Sequence, residues 1–280
     1  MARFLIIAPA LLLAACSPLR TEMAVQDVAT TGEIPVPPPT ESALATAPEP
    51  APQSRPPAPT PWEPHYFETR LNGIAIEAVA FDSRSHHLKV ADQPQGPGTR
   101  WPDSRSAGKG SLAAINASFF TPEGQPLGMI VTAGQPHGAI NRASSLGSGF
   151  YVEENSGKLR LIRRDQFDHA KEAIQAGPFL VENRRAVRGL SQESSAARSF
   201  LAHDNAGHWI LARTGPCSLA ELAQALAGAR LGPVKIHQAL NLDGGRSSEI
   251  WVSSAIQGGP AFTRPFWNKP VRNFLTLQPR

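Results

Sequence analysis

Five polar side chains fall within eight positions of this sequence: Asn241, Asp243, Arg246, Ser247 and Ser248. They lie in HQALNLDGGRSSEIWV, His237 to Val252, where an apolar run enters and another leaves. A strand that stops at Asp-Gly-Gly predicts a turn with special backbone angles. A β-hairpin explains a lone Asp-Gly, but it does not call for an acid, a guanidinium and two serines together. Arg246 can hold an anion through forked, charge-assisted hydrogen bonds. Ser247 and Ser248, with neighbouring backbone N–H groups, can form a nest for phosphate oxygens. Asp243 can face a positive charge that develops during reaction. Adjacent glycines let such a ligand approach the backbone.

Two more polar clusters fall at predicted strand ends. One is Asn116-Ala117-Ser118-Phe119-Phe120. The other runs Gln175-Ala176-Gly177-Pro178-Phe179-Leu180-Val181 and is followed by Arg198. Taken singly they read as an Asn capping a strand, a simple turn and an ion-paired Arg.

The elements that must position these clusters are mostly strands. Apolar or alternating runs predict strands at Ile74–Phe81, Ser111–Asn116, Gly128–Thr132, Gly149–Glu153 and Leu159–Arg163. Further runs are Pro178–Glu182, Ser199–His203, His208–Ala212, Ala239–Leu242, Glu249–Ser253 and Val271–Leu277. Asn155-Ser156-Gly157 and Asn205-Ala206-Gly207 punctuate hairpins, and His86-His87 reads as part of a turn. Ser218-Leu219-Ala220-Glu221 is a capping box. Leu219, Leu222, Ala223 and Leu226 mark one face of the helix it opens, which Gly228 or Gly232 ends. A shorter helix is expected over Asp165–Ile174. The sum is an α+β (mixed α/β) class: a strand-rich single domain, 65–280, on a mixed sheet with few helices.

Residues 1–16 read as a bacterial lipoprotein signal. Arg3 supplies a basic start, Leu5 to Ala15 an apolar stretch too short to span a bilayer, and Leu13-Ala14-Ala15-Cys16 a lipobox. Cys16 is the expected lipidation site, and acyl chains would anchor the protein to a membrane. Ser17 lacks the acidic character linked with inner-membrane retention, which implies the periplasmic face of an outer membrane. Residues 17–64 form a Pro/Ala-rich linker whose composition cannot bury enough apolar surface to fold. The chain has two Cys. With Cys16 lipidated, Cys217 has no disulfide partner and is expected to be a small, partly buried residue rather than a nucleophile. Net charge is +4, without a long Lys/Arg run. Nucleic acid is therefore not an expected partner, whereas an anionic envelope substrate is compatible.

The order of the motifs carries a resemblance. Asn-x-x-Phe-Phe, Ala-Gly-Pro-x-Leu-Val, an Arg, a Ser-Leu-x-Glu-Leu-Ala helix and Ala-Leu-Asn-Leu-Asp-Gly-Gly-x-Ser-Ser together resemble the phosphodiester glycosidase family. The likeness covers most of the expected domain. It implies a hydrolase that cleaves the glycosidic C–O bond of a sugar-1-phosphodiester in an envelope or extracellular glycoconjugate. Asp243, Arg198 and Asn116 then become the catalytic set. Ser118, Gln175, Gly177, Asn241, Gly244, Gly245, Arg246, Ser247 and Ser248 become substrate-binding residues. Phosphate leaves more readily than a sugar alkoxide, so a single carboxylate can suffice. Glu249, Asp204 and Glu123 are candidates for a second, and backbone donors at the turn are expected to keep Asp243 ionised. The chain departs from the family where Arg246 replaces a frequent third Gly and Ala117-Ser118 replace a frequent Gly-Gly.

No resident cofactor is expected, although a single Ca²⁺ or Mg²⁺ on Asp243 and carbonyls stays open. A metal-dependent phosphodiesterase is the first alternative. The eight His are dispersed, however, and no HxxxH, HxH or DxH pattern occurs. A Ser-His-Asp hydrolase is disfavoured because no Gly-x-Ser-x-Gly elbow is present. The second alternative is a non-catalytic glycan-binding lipoprotein.

Overall fold

The structure, a computed structural model, describes residues 60–280. The signal segment with Cys16, and residues 17–59 of the Pro-rich stretch, lie outside the described residues. The chain runs β1 (His65–Leu71), β2 (Ile74–Asp82), β3 (His86–Ala91), α1 (Ser104–Ala107) and β4 (Ala113–Asn116). It continues through β5 (Ile130–Thr132), β6 (Gln135–His137), β7 (Gly149–Glu153), β8 (Leu159–Arg163) and β9 (Glu172–Ala176). Next come β10 (Phe179–Glu182), β11 (Arg185–Ala186), β12 (Ser199–His203), β13 (His208–Thr214) and α2 (Leu219–Leu226). Then follow β14 (Arg230–Leu231), β15 (Val234–Lys235), β16 (Gln238–Asn241), β17 (Ile250–Val252), β18 (Ala261–Thr263) and β19 (Phe274–Pro279).

A seven-stranded sheet has the order β1-β2-β13-β12-β16-β10-β11. Two five-stranded sheets follow the orders β18-β17-β4-β19-β3 and β6-β5-β9-β7-β8, and β14-β15 form a ribbon. Every strand pairing within these sheets is antiparallel. The expected mixed sheet is thus corrected to antiparallel ladders, and the α+β class to a mostly β architecture with two short α-helices. Parallel neighbours need long crossovers, usually helical, whereas this chain turns tightly. Between β1 and β2, Asn72 and Gly73 have φ of 48° and 83°, the left-handed pair of a two-residue hairpin turn.

The sheets meet in one core. Phe81, Leu201 and Leu240 of the large sheet, Ile115 and Leu275 of the second, and Tyr151 and Ile174 of the third share a single buried cluster. The other face of the large sheet lies under α2. There Phe200, Ile210 and Ala239 pack with Leu222 and Leu226. The period-2 alternation of β16 sends Ala239 to α2 and Leu240 to the core, which fixes its register. Helix α2 starts as its sequence predicts. Glu221 N donates to Ser218 Oγ at 3.1 Å, and Ser218 N donates to Glu221 Oε2 at 2.7 Å. Cys217, beside the cap, is a free thiol and is fully buried rather than partly so. Burial pushes its pKa up, which keeps it inert.

Two local expectations fail. Over Asp165–Ile174 the structure has a 3₁₀ turn, Arg164–Gln166, and then β9. Pairing with β5 and β7 overrides the helix-forming composition there. The His86-His87 pair lies inside β3, not in a turn, and both rings are buried. His87 Nδ1 sits 2.9 Å from Glu153 Oε2 on the neighbouring sheet.

Candidate active site

The three polar clusters converge where β16 ends. Asn116 Nδ2 donates to Asp243 O at 2.6 Å, and Asp243 N donates to Ala117 O at 2.9 Å. The first cluster therefore grips the turn from the second sheet. From the large sheet, Leu242 N donates to Ser199 O at 2.8 Å and Gly245 N to Ala197 O at 2.7 Å. Asn241 Nδ2 donates to Gly177 O at 2.9 Å, joining the second cluster to the same strand. Two glycines are demanded by geometry. A Cβ on Gly244 would lie 2.9 Å from Ala197 O, and Gly245 has φ of 59°.

Asp243 retains part of its surface open to solvent. Gly244 N donates to its Oδ1 at 2.9 Å. Burial raises its carboxyl to about 6, against the opposing hydrogen bonds from the Ser247 side chain and Gly244 N–H. Desolvation outweighs the two donors, so the carboxyl is raised rather than held low, and it ionises above about pH 6. No cation contributes to the balance.

Arg198 borders the turn through its stem, which a Cβ on Gly244 would meet at 3.7 Å. Its Nε donates to Cys217 O at 3.0 Å and its Nη2 to Ser194 O, and the remaining N–H groups have no such bond. Burial pulls its pKa down, yet a guanidinium stays charged. Arg246 is exposed, and its Nε and Nη2 both donate to Trp267 O, at 3.0 and 2.8 Å. Sequence reading missed this anchor, whose only signal was the adjacent aromatic pair in Arg264-Pro265-Phe266-Trp267-Asn268.

Other residues expected at the site hold the scaffold. Asn116 is fully buried, and its Oδ1 accepts from Ser199 Oγ at 2.6 Å and Glu249 N at 3.1 Å. Ser118 is sealed against Asn273, with its N–H donating to Oδ1 and its Oγ accepting from Nδ2, each at 2.8 Å. Gln175 accepts from Met129 N and Asn141 N and donates to Asn141 O and Gly147 O, so its amide is saturated. Ser248 is buried 2.9 Å from Ser199 Oγ. Ser199 and Asn273 had no motif to reveal them.

The candidate second carboxylates lie apart from solvent or from the turn. Glu249 is fully buried, and burial lifts its carboxyl to about 8 despite Arg264, whose Nε lies 3.1 Å from Oε2. That contact lacks hydrogen-bond geometry, so desolvation prevails. Asp204 sits beyond the far end of β12 and pairs with His208. Glu123 is on an exposed loop. Among the described residues, no three His, Cys, Asp or Glu side chains gather as metal ligands. A cleft of about 860 Å³, lined by Arg84, Lys158, His203, Trp209, Gln238 and Arg280, opens at the start of β16, the opposite end from Asp243. It has no lining carboxylate, so the turn remains the better seat for glycosidic chemistry.

The model of the phosphodiester glycosidase family matches residues 109–278. No curated protein matches the chain. Among solved structures, one similar fold is the zebrafish N-acetylglucosamine-1-phosphodiester alpha-N-acetylglucosaminidase catalytic domain auto-inhibited by its pro-peptide. It has 16% identity, a TM-score of 0.56, and coverage of 81% of this chain and 86% of that one. A hypothetical protein from Synechocystis matches at 19% identity and TM-score 0.52, over 80% of this chain and 64% of its own. A putative exported protein from Burkholderia pseudomallei K96243 matches at 14% identity and TM-score 0.51, over 74% of each chain. These structures agree on the fold, and the matched span holds the Asp243 turn, Asn116, Gln175 and Arg198. The chain belongs to the phosphodiester glycosidase family.

Proposed function

We propose that the protein hydrolyses the glycosidic C–O bond of a sugar-1-phosphodiester, with Asp243 as the catalytic carboxylate. One observation carries the reading. A solvent-reachable carboxyl with a pKa raised to about 6 stands on a turn that the other two polar clusters hold in place. Above that pH the carboxylate opposes the positive charge growing at the anomeric carbon and orients the incoming water or sugar carbon. Arg198, with unused N–H groups beside Gly244, holds the phosphodiester. The Ser247 side chain and the Gly244 N–H are spent on the Asp243 carboxyl and the Gly245 N–H on Ala197 O, so these donors hold the turn and its carboxylate. Asn116, Asn241 and Gly177 set the turn's position rather than touch the substrate. The leaving phosphate needs little protonation, consistent with a Glu249 that is buried and out of reach.

The substrate we favour is an N-acetylglucosamine-1-phosphodiester, by analogy with the zebrafish relative's substrate class. The enzyme is read as exported and lipid-anchored through Cys16, facing an envelope glycoconjugate, on the strength of Leu13-Ala14-Ala15-Cys16. Among the described residues no helix is long and apolar enough to cross a membrane. The test is release of free sugar from N-acetylglucosamine 1-(methyl phosphate) by the full chain. Turnover is expected, and Asp243→Asn should lower it at least about a thousandfold. Turnover that survives the substitution would remove Asp243 from the chemistry.

A further inference from the structure

Phe266 and Trp267 are 89% and 52% exposed, the two most exposed large apolar side chains among the described residues. Their rings pack edge to face, with centroids 4.8 Å apart at 75°. Exposed apolar rings usually sit on loose loops, but this loop is fastened. Arg246 donates twice to Trp267 O, Lys269 N donates to Arg246 O at 3.2 Å, and Asn268 Nδ2 donates to Ser248 O at 3.0 Å. Arg264 Nη2 closes the loop on Asn268 O at 3.1 Å. Three of these anchors land on Arg246 and one on Ser248, the residues that follow Asp243-Gly244-Gly245. The aromatic pair is thus held at a set position relative to the catalytic carboxylate. Such fixing matters only to a ligand that reaches both.

Size narrows the ligand. A stable protein partner covers about 800 Å² on each side, whereas two rings present roughly one or two hundred. That area matches the C–H face of one sugar ring. The exposed Arg246 and Lys269 on the same loop pair suit a sugar that carries phosphate.

We propose that Phe266 and Trp267 form an aromatic platform that stacks on a sugar ring of the substrate beside Asp243, with Arg246 as the positioning residue that fixes it. This rests on the glycosidase reading above and names how that site selects its substrate. The test uses the full chain, N-acetylglucosamine 1-(methyl phosphate) as probe, and the variants Phe266→Ala, Trp267→Ala, Trp267→Tyr and Arg246→Gly. For both alanine variants KM should rise about tenfold or more while kcat changes by less than about threefold, the signature of lost uniform binding. Trp267→Tyr should restore most of the affinity, and Arg246→Gly should raise KM with the rings intact. These are surface changes, so melting temperatures should barely move.

Equilibrium binding of the probe to Asp243→Asn protein separates the two ideas. Binding that needs Trp267 without any turnover in the parent would support the platform and sink the hydrolase. Turnover with unchanged KM in the alanine variants would overturn the platform and leave the hydrolase standing. Loss of sedimentation with phosphatidylglycerol vesicles, at unchanged KM, would reassign the pair to a lipid surface and overturn the proposal. So would absence of probe binding up to about 10 mM, too weak for a substrate site.

Discussion

Asp243 decides the account at the scale of single residues. Its carboxyl is raised to about 6 by burial, so kcat should climb as pH rises through about 6 and level off above. The same shift fixes the sign of its effect on stability. The folded state holds the proton more tightly than the unfolded chain, so stability is fully present below about pH 4 and is lost as pH rises through 6. Asp243→Asn removes that cost. Thermal unfolding at pH 8 should show the variant as stable as the parent or more so, by about 1–3 kcal/mol. A large fall in melting temperature with activity intact would make the turn merely structural. Sequence alone pointed to Asp243 because acid, glycines and serines crowd one strand end. It expected Gln175 and Ser118 to bind substrate, whereas both are hydrogen-bonded to the scaffold here. A polar side chain in a motif can face a ligand or a backbone loop, and only the fold shows that Gln175 spends both amide atoms on loop backbone.

At the scale of elements, strong local signals survived and weak ones did not. The capping box of α2 and the strands at Gly149–Glu153, Leu159–Arg163 and Ser199–His203 were legible because period and punctuation agree there. Strand β9 was not. Its Asp-His-Ala-Lys-Glu approach favours helix locally, and only its two sheet neighbours make it a strand. Charge placement under α1 was also invisible. Glu249 is buried beneath that short helix, near Asp103 and the Ser104 N–H, with its pKa raised to about 8. Folded-state protonation again exceeds that of the unfolded chain, so this contribution is intact below about pH 4 and is lost as pH rises through 8. Glu249→Gln should therefore flatten the decline of melting temperature between pH 6 and 9 while leaving kcat nearly unchanged. A variant that melts with the parent's pH dependence would show that Glu249 is ionised throughout.

At the scale of the whole fold, the described residues form three larger antiparallel sheets and a two-stranded ribbon, the three sheets packed over one core, with the turn at Asp243 stitched to two of them. Close approach between sheets is set partly by Gly149, where a Cβ would strike the Phe179 ring and lie 3.0 Å from Leu240 Cδ1. Gly149→Ala should cost about 1–3 kcal/mol in chemical unfolding. Gly215→Ala, whose Cβ would make ordinary contacts with Ala75 Cβ at 3.7 Å and Ala75 O at 3.9 Å, should be close to neutral; equal effects would contradict the packing described. The strand-rich character was readable from alternation. The antiparallel topology was not, because an apolar run does not state which neighbour it pairs with. The central claim is that water attacks carbon at a site built on Asp243. Its most direct test is hydrolysis of N-acetylglucosamine 1-(methyl phosphate) by the full chain in ¹⁸O-water, with mass analysis of both products. Label in the released sugar, absent with Asp243→Asn, is the expected result, and label in the phosphate would contradict the account.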